Sequence, residues 1–501
     1  MNIGIDLGTT FSLAGILNAQ GVPTLVPDMH DAAEYRTPSV VLVADGRAHV
    51  GAQLEQRLLD EPGLIVARGF KQIMGTDASA FRDATGREWG AEVLSALVLK
   101  KLLRDVEAFA AQEVDTCVLT VPANFNDAQR RATQTAARLA GLTRVELIEE
   151  PVAAAAFYGF SEKCAEQTLF VYDFGGGTFD ATVLQISEGR LFVLATDGHN
   201  GLGGRKIDSA LVDLLLSENF GVSDASGSVD QGSRETLRRF SEDAKIALSR
   251  PGTPLQRRTL VVGGRVSEFS LSLPQLASVV DPLVEETLLV CQRCLKGASL
   301  TWSEVDALLL TGGSSLLPQV RRRLAQVSGK SVESFYCRHP HQAVAYGAAL
   351  LAEARAGSPA TQPLLAVAPY HLGLRVRDPS TGKPRVEVMV KRNSPLPARH
   401  TATFYTTRAD QTRLVFDVVQ SKGEGDVVAS LGFFAFAPLR KPRKNYPVEV
   451  TLAYDAEGLV RVAAKDLLTG EALEREMTSD ENPDLARSAR GRSLLAGVVL
   501  D

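Results

Sequence analysis

Two stretches constrain this chain more than any others: 1-MNIGIDLGTT-10 and 169-LFVYDFGGGTFD-180, each an apolar run that meets an aspartate, Asp6 or Asp173, and breaks at once into glycine and threonine. Glycine lacks a Cβ, so backbone N–H groups at such a turn can converge on an anion. The neighbouring aspartate can hold a hydrated Mg²⁺ that bridges phosphate oxygens. Either copy alone is most often just a tight turn. Two copies predict two loops gripping one polyphosphate from opposite sides.

Further glycine clusters extend the pattern. The stretch 308-LLLTGGSSLLP-318 again ends an apolar run, and Gly201-Leu202-Gly203-Gly204 opens a predicted helix. Glycines where strands end admit a base or ribose close to the backbone. The chain has no G-x-x-x-x-G-K-[ST], which argues against a P-loop enzyme. Asp173-Phe174-Gly175 spells a protein-kinase motif without a His-Arg-Asp catalytic loop, so that match is coincidental.

A length of 501 residues suggests about three compact units. Through about residue 355, short β-rich runs such as 116-TCVLTVP-122 alternate with amphipathic segments such as 126-NDAQRRATQTAARLAGL-142, which predicts an α/β fold. In the second segment Asn126 or Asp127 should cap the helix and Gly141 should end it. Residues 358–369 read as a linker. Beyond it, 385-RVEVMV-390, 402-ATFYTT-407, 413-RLVFDVV-419, 448-VEVTLAYD-455 and 459-LVRVAAKD-466 predict an all-β domain over 370–478. The segment 479–501 is expected to be a frayed tail or one short helix.

A net charge of −5 shows no acidic or basic excess, so neither nucleic acid nor a membrane is an expected partner. The five cysteines, Cys117, Cys164, Cys291, Cys294 and Cys337, are odd in number and sit in apolar or helical contexts. Reduced thiols and a cytoplasmic location are expected. Asp6 interrupts the first apolar run and no basic region precedes it, so no signal peptide is read there. Cys291-Gln292-Arg293-Cys294 falls on a predicted helix, 274–297, with no second pair for zinc, and reads as structural.

In order along the chain, IGIDLGTT, FKQIMG, LTVPANFNDAQRRAT, EEPVAAAAFYG, YDFGGGTFD, GLGG, DAKIALS, LLLTGGSSLLP and AVAYGAAL resemble the seventy-kilodalton heat-shock (heat shock protein 70) chaperone family. The flavour is that of a divergent bacterial-type member with a shortened C-terminal lid. The resemblance implies a two-lobed actin-like (ribonuclease-H-like) ATPase domain over 1–357, followed by a β-sandwich that binds peptide. It implies ATP or ADP with Mg²⁺, and K⁺ as a further candidate ion. Phosphoryl transfer to water needs neutralised charge and an oriented nucleophile.

The same resemblance assigns roles. Lys71, Glu150, Asp173 and Thr178 are expected to be catalytic. Asp6, Asp173 and Asp180 would hold the metal, mainly through water. Gly8, Thr9, Thr10, Phe11, Gly175, Gly176, Gly177, Gly203, Gly204, Gly312, Gly313 and Ser314 would cradle the nucleotide. Glu242, Lys245 and Ser249, which share one helix face, would hold adenine and ribose. Leu374, Val376, Phe404, Leu414 and Val418 would line a peptide pocket. Expected partners are unfolded or extended polypeptides, a J-domain co-chaperone and a nucleotide-exchange factor.

The chain departs from the family pattern at Ile246 and Leu316, beside the expected base, and at His341 and Phe11. Glu146 stands where a J-facing arginine is common, which predicts a specialised J partner or weak stimulation. Thr361, Pro363 and Ala366 alter a linker that keeps Leu364, Leu365 and Val367. Arg377 and Thr407 should change the arch over the peptide. Two other classes share parts of this signature: a sugar or metabolite kinase, and a non-hydrolysing scaffold or exchange partner.

Overall fold

The computed structural model describes the chain apart from residues 62–63, 163–165, 189, 222–228, 356–363, 378–382, 424–425, 441, 477–482 and 501. Thr361, Pro363, Cys164 and the turn at 378–382 lie outside the described residues.

The first part runs through β1 (Asn2–Asp6), β2 (Phe11–Leu17), β3 (Pro23–Leu25) and a hairpin of β4 (Val40–Ala44) and β5 (Arg47–Val50). Helix α1 (Ala91–Ala110), β6 (Thr116–Val121), α2 (Asp127–Ala140), β7 (Val145–Glu149) and α3 (Glu150–Glu162) follow. Strand β1 pairs antiparallel with β2 and parallel with β6, and β6 pairs parallel with β7. The second part repeats this wiring. Strand β8 (Gln167–Phe174) pairs antiparallel with β9 (Thr178–Ser187), which pairs with β10 (Arg190–Asn200). Helices α4 (Gly204–Phe220), α5 (Gln231–Leu248) and α6 (Leu273–Gly297) lead to β11 (Ala307–Thr311), parallel to β8, and then to α7 (Ala343–Arg355).

The inner strands are buried on both faces, as in Ile3, Ile5, Phe170, Val171 and Tyr172, because helices cover each sheet. That explains their unbroken apolar runs. Helix α7 packs against both α3 and β1, so it ties the two sheets together. Helix α2 obeys its local code. The Asn126 side chain accepts from Gln129 N and the Gln129 side chain accepts from Asn126 N, both at 3.0 Å, and Gly141 closes the helix.

The segment β12 (Leu364–Leu365) adds to the edge of β10 in parallel, Leu191 opposite Leu364 and Phe192 opposite Leu365. A sandwich follows: β13 (His371–Arg377), β14 (Pro384–Val390), β15 (Ala398–Tyr405), β16 (Leu414–Ser421), β17 (Val427–Phe436), β18 (Pro447–Tyr454), β19 (Val460–Asp466) and β20 (Ala472–Glu476). One sheet has the order β14-β13-β16-β17 and the other β15-β18-β19-β20, with all neighbours antiparallel. The sandwich sits on the start of α2. Gln420 Oε1 accepts from Asp127 N at 3.1 Å, Asp127 Oδ1 accepts from Val460 N at 2.7 Å, and Arg131 donates to Val460 O at 3.0 Å.

Of the two forms the sequence allows for the tail, a frayed end or one short helix, the structure shows the helix. Helix α8 (Pro483–Ala496) lies against α1 and α2, and β21 (Val499–Leu500) adds in parallel to β5. Leu495 and Leu500 are buried in the core of the first part, and Arg104 donates to Leu500 O at 2.7 Å. Four apolar residues, Leu494, Leu495, Val498 and Leu500, supply the docking face that a frayed tail would lack. Leu495→Ala should therefore cost about 2–3 kcal/mol of stability in the first part. Hydrogen exchange at Arg47–Val50 should accelerate when 483–501 is removed; unchanged protection there would contradict the strand pairing.

Candidate functional site

Strands β1 and β8 each deliver an aspartate from their last turn to the same place. Asp6 closes β1, and Thr120 Oγ1 on neighbouring β6 donates to its Oδ1 at 3.2 Å. Asp173 lies near the end of β8 and pairs in register with Asp180 on β9. Asp180 accepts from Asn124 N at 3.1 Å through Oδ1, while its buried Oδ2 has no partner among the described residues. Asp173 and Asp180 are buried and Asp6 is half-buried.

Lys71 enters from a short 3-10 turn, Phe70–Ile73, and donates to Glu150 Oε1 at 2.6 Å at the head of α3. Both side chains are almost wholly covered. One lysine thus faces four acidic groups. Burial first, and then the charge of Glu150, pushes Asp6 up to about 7. The same two causes, with Asp6 added, push Asp173 up to about 8. Burial and Glu150 also raise Asp180. Among the described residues no group of three or more His, Cys, Asp or Glu is arranged to ligate an ion directly.

The two glycine turns touch. A Cβ on Gly176 would stand 2.2 Å from Thr10 Oγ1, and one on Gly177 would stand 2.7 Å from Thr9 Oγ1. Only glycine allows this approach. The carbonyls of the second turn are held from behind: Gly204 N donates to Gly175 O at 3.0 Å, Arg205 N to Gly176 O at 2.9 Å and Gly201 N to Gly177 O at 3.1 Å. Ser314 Oγ, just after Gly312 and Gly313, donates to Gly175 O at 2.9 Å, and Gly175 N bonds Thr178 O at 3.2 Å. Gly203 precedes α4 and abuts Gly176. Gly8 is braced by Ser39, whose hydroxyl donates to Gly8 O at 2.8 Å.

Of the face expected to hold adenine and ribose, Lys245 is buried and paired with Asp208 at 2.6 Å, and Glu242 is paired with Arg238 at 2.8 Å. Ser249 Oγ donates back to Lys245 O at 2.8 Å. Ile246 and Leu316 are exposed. The Phe11 ring is covered by the Arg36 guanidinium, 4.9 Å from its centroid. Burial and the charge of Arg36 lower the pKa of His341.

Sequence reasoning missed Asn124, Thr120, Gln72, Asp208 and Arg238. The Arg238/Glu242 spacing of four along a helix was a readable signal. Thr120 and Asn124 lie within the quoted stretch LTVPANFNDAQRRAT, but only the fold brings them to the aspartates. Gln72, beside Lys71, donates to Gly177 O at 3.2 Å.

In the sandwich, Leu374 and Val418 are fully buried core residues. Val376 and Phe404 are half-buried, and Leu414 lies just inside the surface. Phe404 meets Phe416 edge-on at 5.4 Å. The Arg377 side chain lies outside the described residues, and Thr407 is exposed. Cys291 and Cys294 are buried on α6, and burial pushes both thiols up, Cys294 to about 12. Glu146 pairs with Arg355 of α7 at 2.9 Å.

A family model described as Hsp70 protein matches residues 76–490. The chain belongs to the Hsp70 family. Hsp70 family members are in general ATPases and chaperones that bind ATP or ADP with Mg²⁺. The matched span takes in the second aspartate-glycine turn, Glu150 and every strand of the sandwich; β1, its turn and Lys71 precede it. Among the described residues no helix is long and apolar enough to cross a membrane.

The raised carboxylates set a pH dependence. Asp6 and Asp173 have folded pKa values above their ordinary value, so the stability they contribute is full below about pH 4, where folded and unfolded forms are both protonated. It falls as pH rises through about 7 and 8, and is level above. In metal-free protein, Asp173→Asn should therefore lose less stability between about pH 5 and about pH 9 than the parent does. Denaturant unfolding at the two pH values measures this, and equal losses would contradict the burial assignment.

Proposed function

We propose that this chain hydrolyses ATP where its two aspartate-glycine turns meet, and uses the cycle to bind and release extended polypeptide. The observation that carries the reading is the buried Lys71–Glu150 pair, 2.6 Å long, set beside the buried carboxylates of Asp173 and Asp180 and the half-buried one of Asp6. A structural ion pair needs no such excess of negative charge. A site awaiting a cation and a polyphosphate does.

Asp6, Asp173 and Asp180 fit Mg²⁺: the charge of Asp6 helps raise Asp173, that of Asp173 helps raise Asp180, and Asp180 Oδ2 has no partner among the described residues. They would hold the ion mainly through its waters. Bound there, Mg²⁺ would neutralise charge on the phosphate oxygens. Glu150 Oε1 holds Lys71 Nζ, which would contact the γ-phosphate and the attacking water. Thr9, Thr10 and Thr178 supply hydroxyl and backbone donors. Gly8, Gly175, Gly176, Gly177, Gly203, Gly204, Gly312, Gly313 and Ser314 form the cradle, held by the hydrogen bonds behind the second turn. Lys245 and Glu242 would turn from Asp208 and Arg238 toward ribose, while exposed Ile246 and Leu316 would pack the base.

In this reading the repeated sheet wiring of the first part is the two-lobed actin-like ATPase. The sandwich holds an extended peptide at the rim where Val376, Phe404 and Leu414 lie, with Leu374 and Val418 beneath. Glu146 is already partnered by Arg355, so a J-domain protein would meet a neutralised patch rather than a bare acid. The cytoplasm is the proposed location.

Single-turnover assays of the parent, Lys71→Ala and Glu150→Gln test the reading. Lys71→Ala should slow phosphate release about 100-fold or more, and Glu150→Gln somewhat less. Free phosphate in the products, with faster turnover when unfolded peptide is added, is expected. Phosphate on a small molecule would favour a kinase, and equal rates in all three proteins would favour a scaffold.

A further inference from the structure

The Asp180 carboxylate sits between two stretches of backbone, and the β-sandwich holds both. On one side, Asn124 N donates to Asp180 Oδ1 at 3.1 Å, while the carbonyl of the same residue accepts from Tyr370 Oη at 2.5 Å. Tyr370 is buried and immediately precedes β13. On the other side stands Gly198 of β10, opposite Asp180 in the β9–β10 register. A Cβ there would lie 2.6 Å from Asp180 Oδ1, so the carboxylate rests against bare backbone.

Gly198 is pinned in turn. Its carbonyl accepts from Lys422 Nζ, just after β16, at 2.8 Å, and its N–H donates to Asp197 Oδ1 at 2.7 Å. The Asp197 side chain is 1% exposed and receives three cations: Lys422 and Arg392 from the sandwich, each at 3.2 Å, and Arg293 of α6 at 2.8 Å. The sandwich contacts at Asp127 and Arg131, by contrast, end on α2 and touch no carboxylate of the site.

We propose that Tyr370 and Lys422 are positioning residues for the phosphate site: with the sandwich seated, they fix Asn124 and Gly198, and through them the Asp180 carboxylate. This rests on the reading that Asp180 faces the metal. The two tethers sit side by side, Tyr370 just before β13 and Lys422 just after β16, where His371 pairs with Ser421, so lifting the sandwich releases both walls together. A carboxylate whose Oδ2 has no partner among the described residues, once its surround loosens, holds a hydrated ion less well. The seating of the sandwich is thereby reported to the site at one named atom group.

The test is a double-mutant cycle on the full chain, read as equilibrium Mn²⁺ binding in the presence of ADP by electron paramagnetic resonance. Tyr370→Phe, which removes only the hydroxyl, and Lys422→Met should each weaken Mn²⁺ binding about tenfold. Neither should weaken it further in an Asp180→Asn background. Lys422→Arg, which still offers donors to Gly198 O, should restore most of the affinity. Unchanged affinity in both single variants, or an equal loss in the Asp180→Asn background, overturns the proposal. Because binding is read separately from turnover, a parent that binds Mn²⁺ with ADP yet releases no phosphate would sink the hydrolytic reading alone. A parent that binds no Mn²⁺ would sink both.

Discussion

The site depends on one contact: the backbone of Gly176 and Gly177 lying against Thr10 and Thr9. The two turns belong to different sheets, and a Cβ at either glycine would collide with a threonine side chain of the first turn. Their meeting is prepared by the repeated wiring. In each sheet an antiparallel hairpin stands beside a parallel strand, so that β1 and β8 end at equivalent points with an aspartate in the last position or next to it. Helix α7, packed on both α3 and β1, holds the sheets at the distance that lets the turns touch.

Around that contact the fold accumulates negative charge at a cost. Asp6, Asp173, Asp180 and Glu150 share one lysine, and burial drives the aspartates toward their neutral forms. Burying unpaired carboxylates is destabilising unless a counter-charge arrives. Apolar strands such as 169–172 and the helices that cover them carry the fold through this, which separates the tasks of sequence cleanly: the strands supply stability and their last residues supply chemistry.

Much of this was legible because the signals are local. The aspartate-glycine turns, the Asn126 cap with Gln129 behind it, and the glycine stop at Gly141 are written within a few residues of where they act. The alternating runs of β14, β15, β16, β18 and β19 were also readable, since one face of each meets the sandwich core. Strand β17 was not, because Gly432 sits in a bulge that breaks its alternation. The tail's short helix was one of the two forms its sequence allowed, but its docking was not legible, because its apolar residues find their partners on α1, α2 and β5, hundreds of residues away in sequence. Asn124 and Gly198 escaped notice because their partner, Asp180, lies far from Asn124 in sequence and faces Gly198 only across a strand pair.

The sandwich is held to the first 355 residues by β12 on β10, by the start of α2, and by the cations gathered on Asp197. All of these contacts surround the strands that lead to the turns, so occupancy of the site and seating of the sandwich share one scaffold. The central claim is that a single nucleotide is gripped by both turns at once. Hydrogen exchange with and without Mg·ATP tests it most directly: slowed exchange at Gly8–Thr10 and at Gly175–Thr178 together is the predicted result, and protection of one turn with the other unchanged would contradict it.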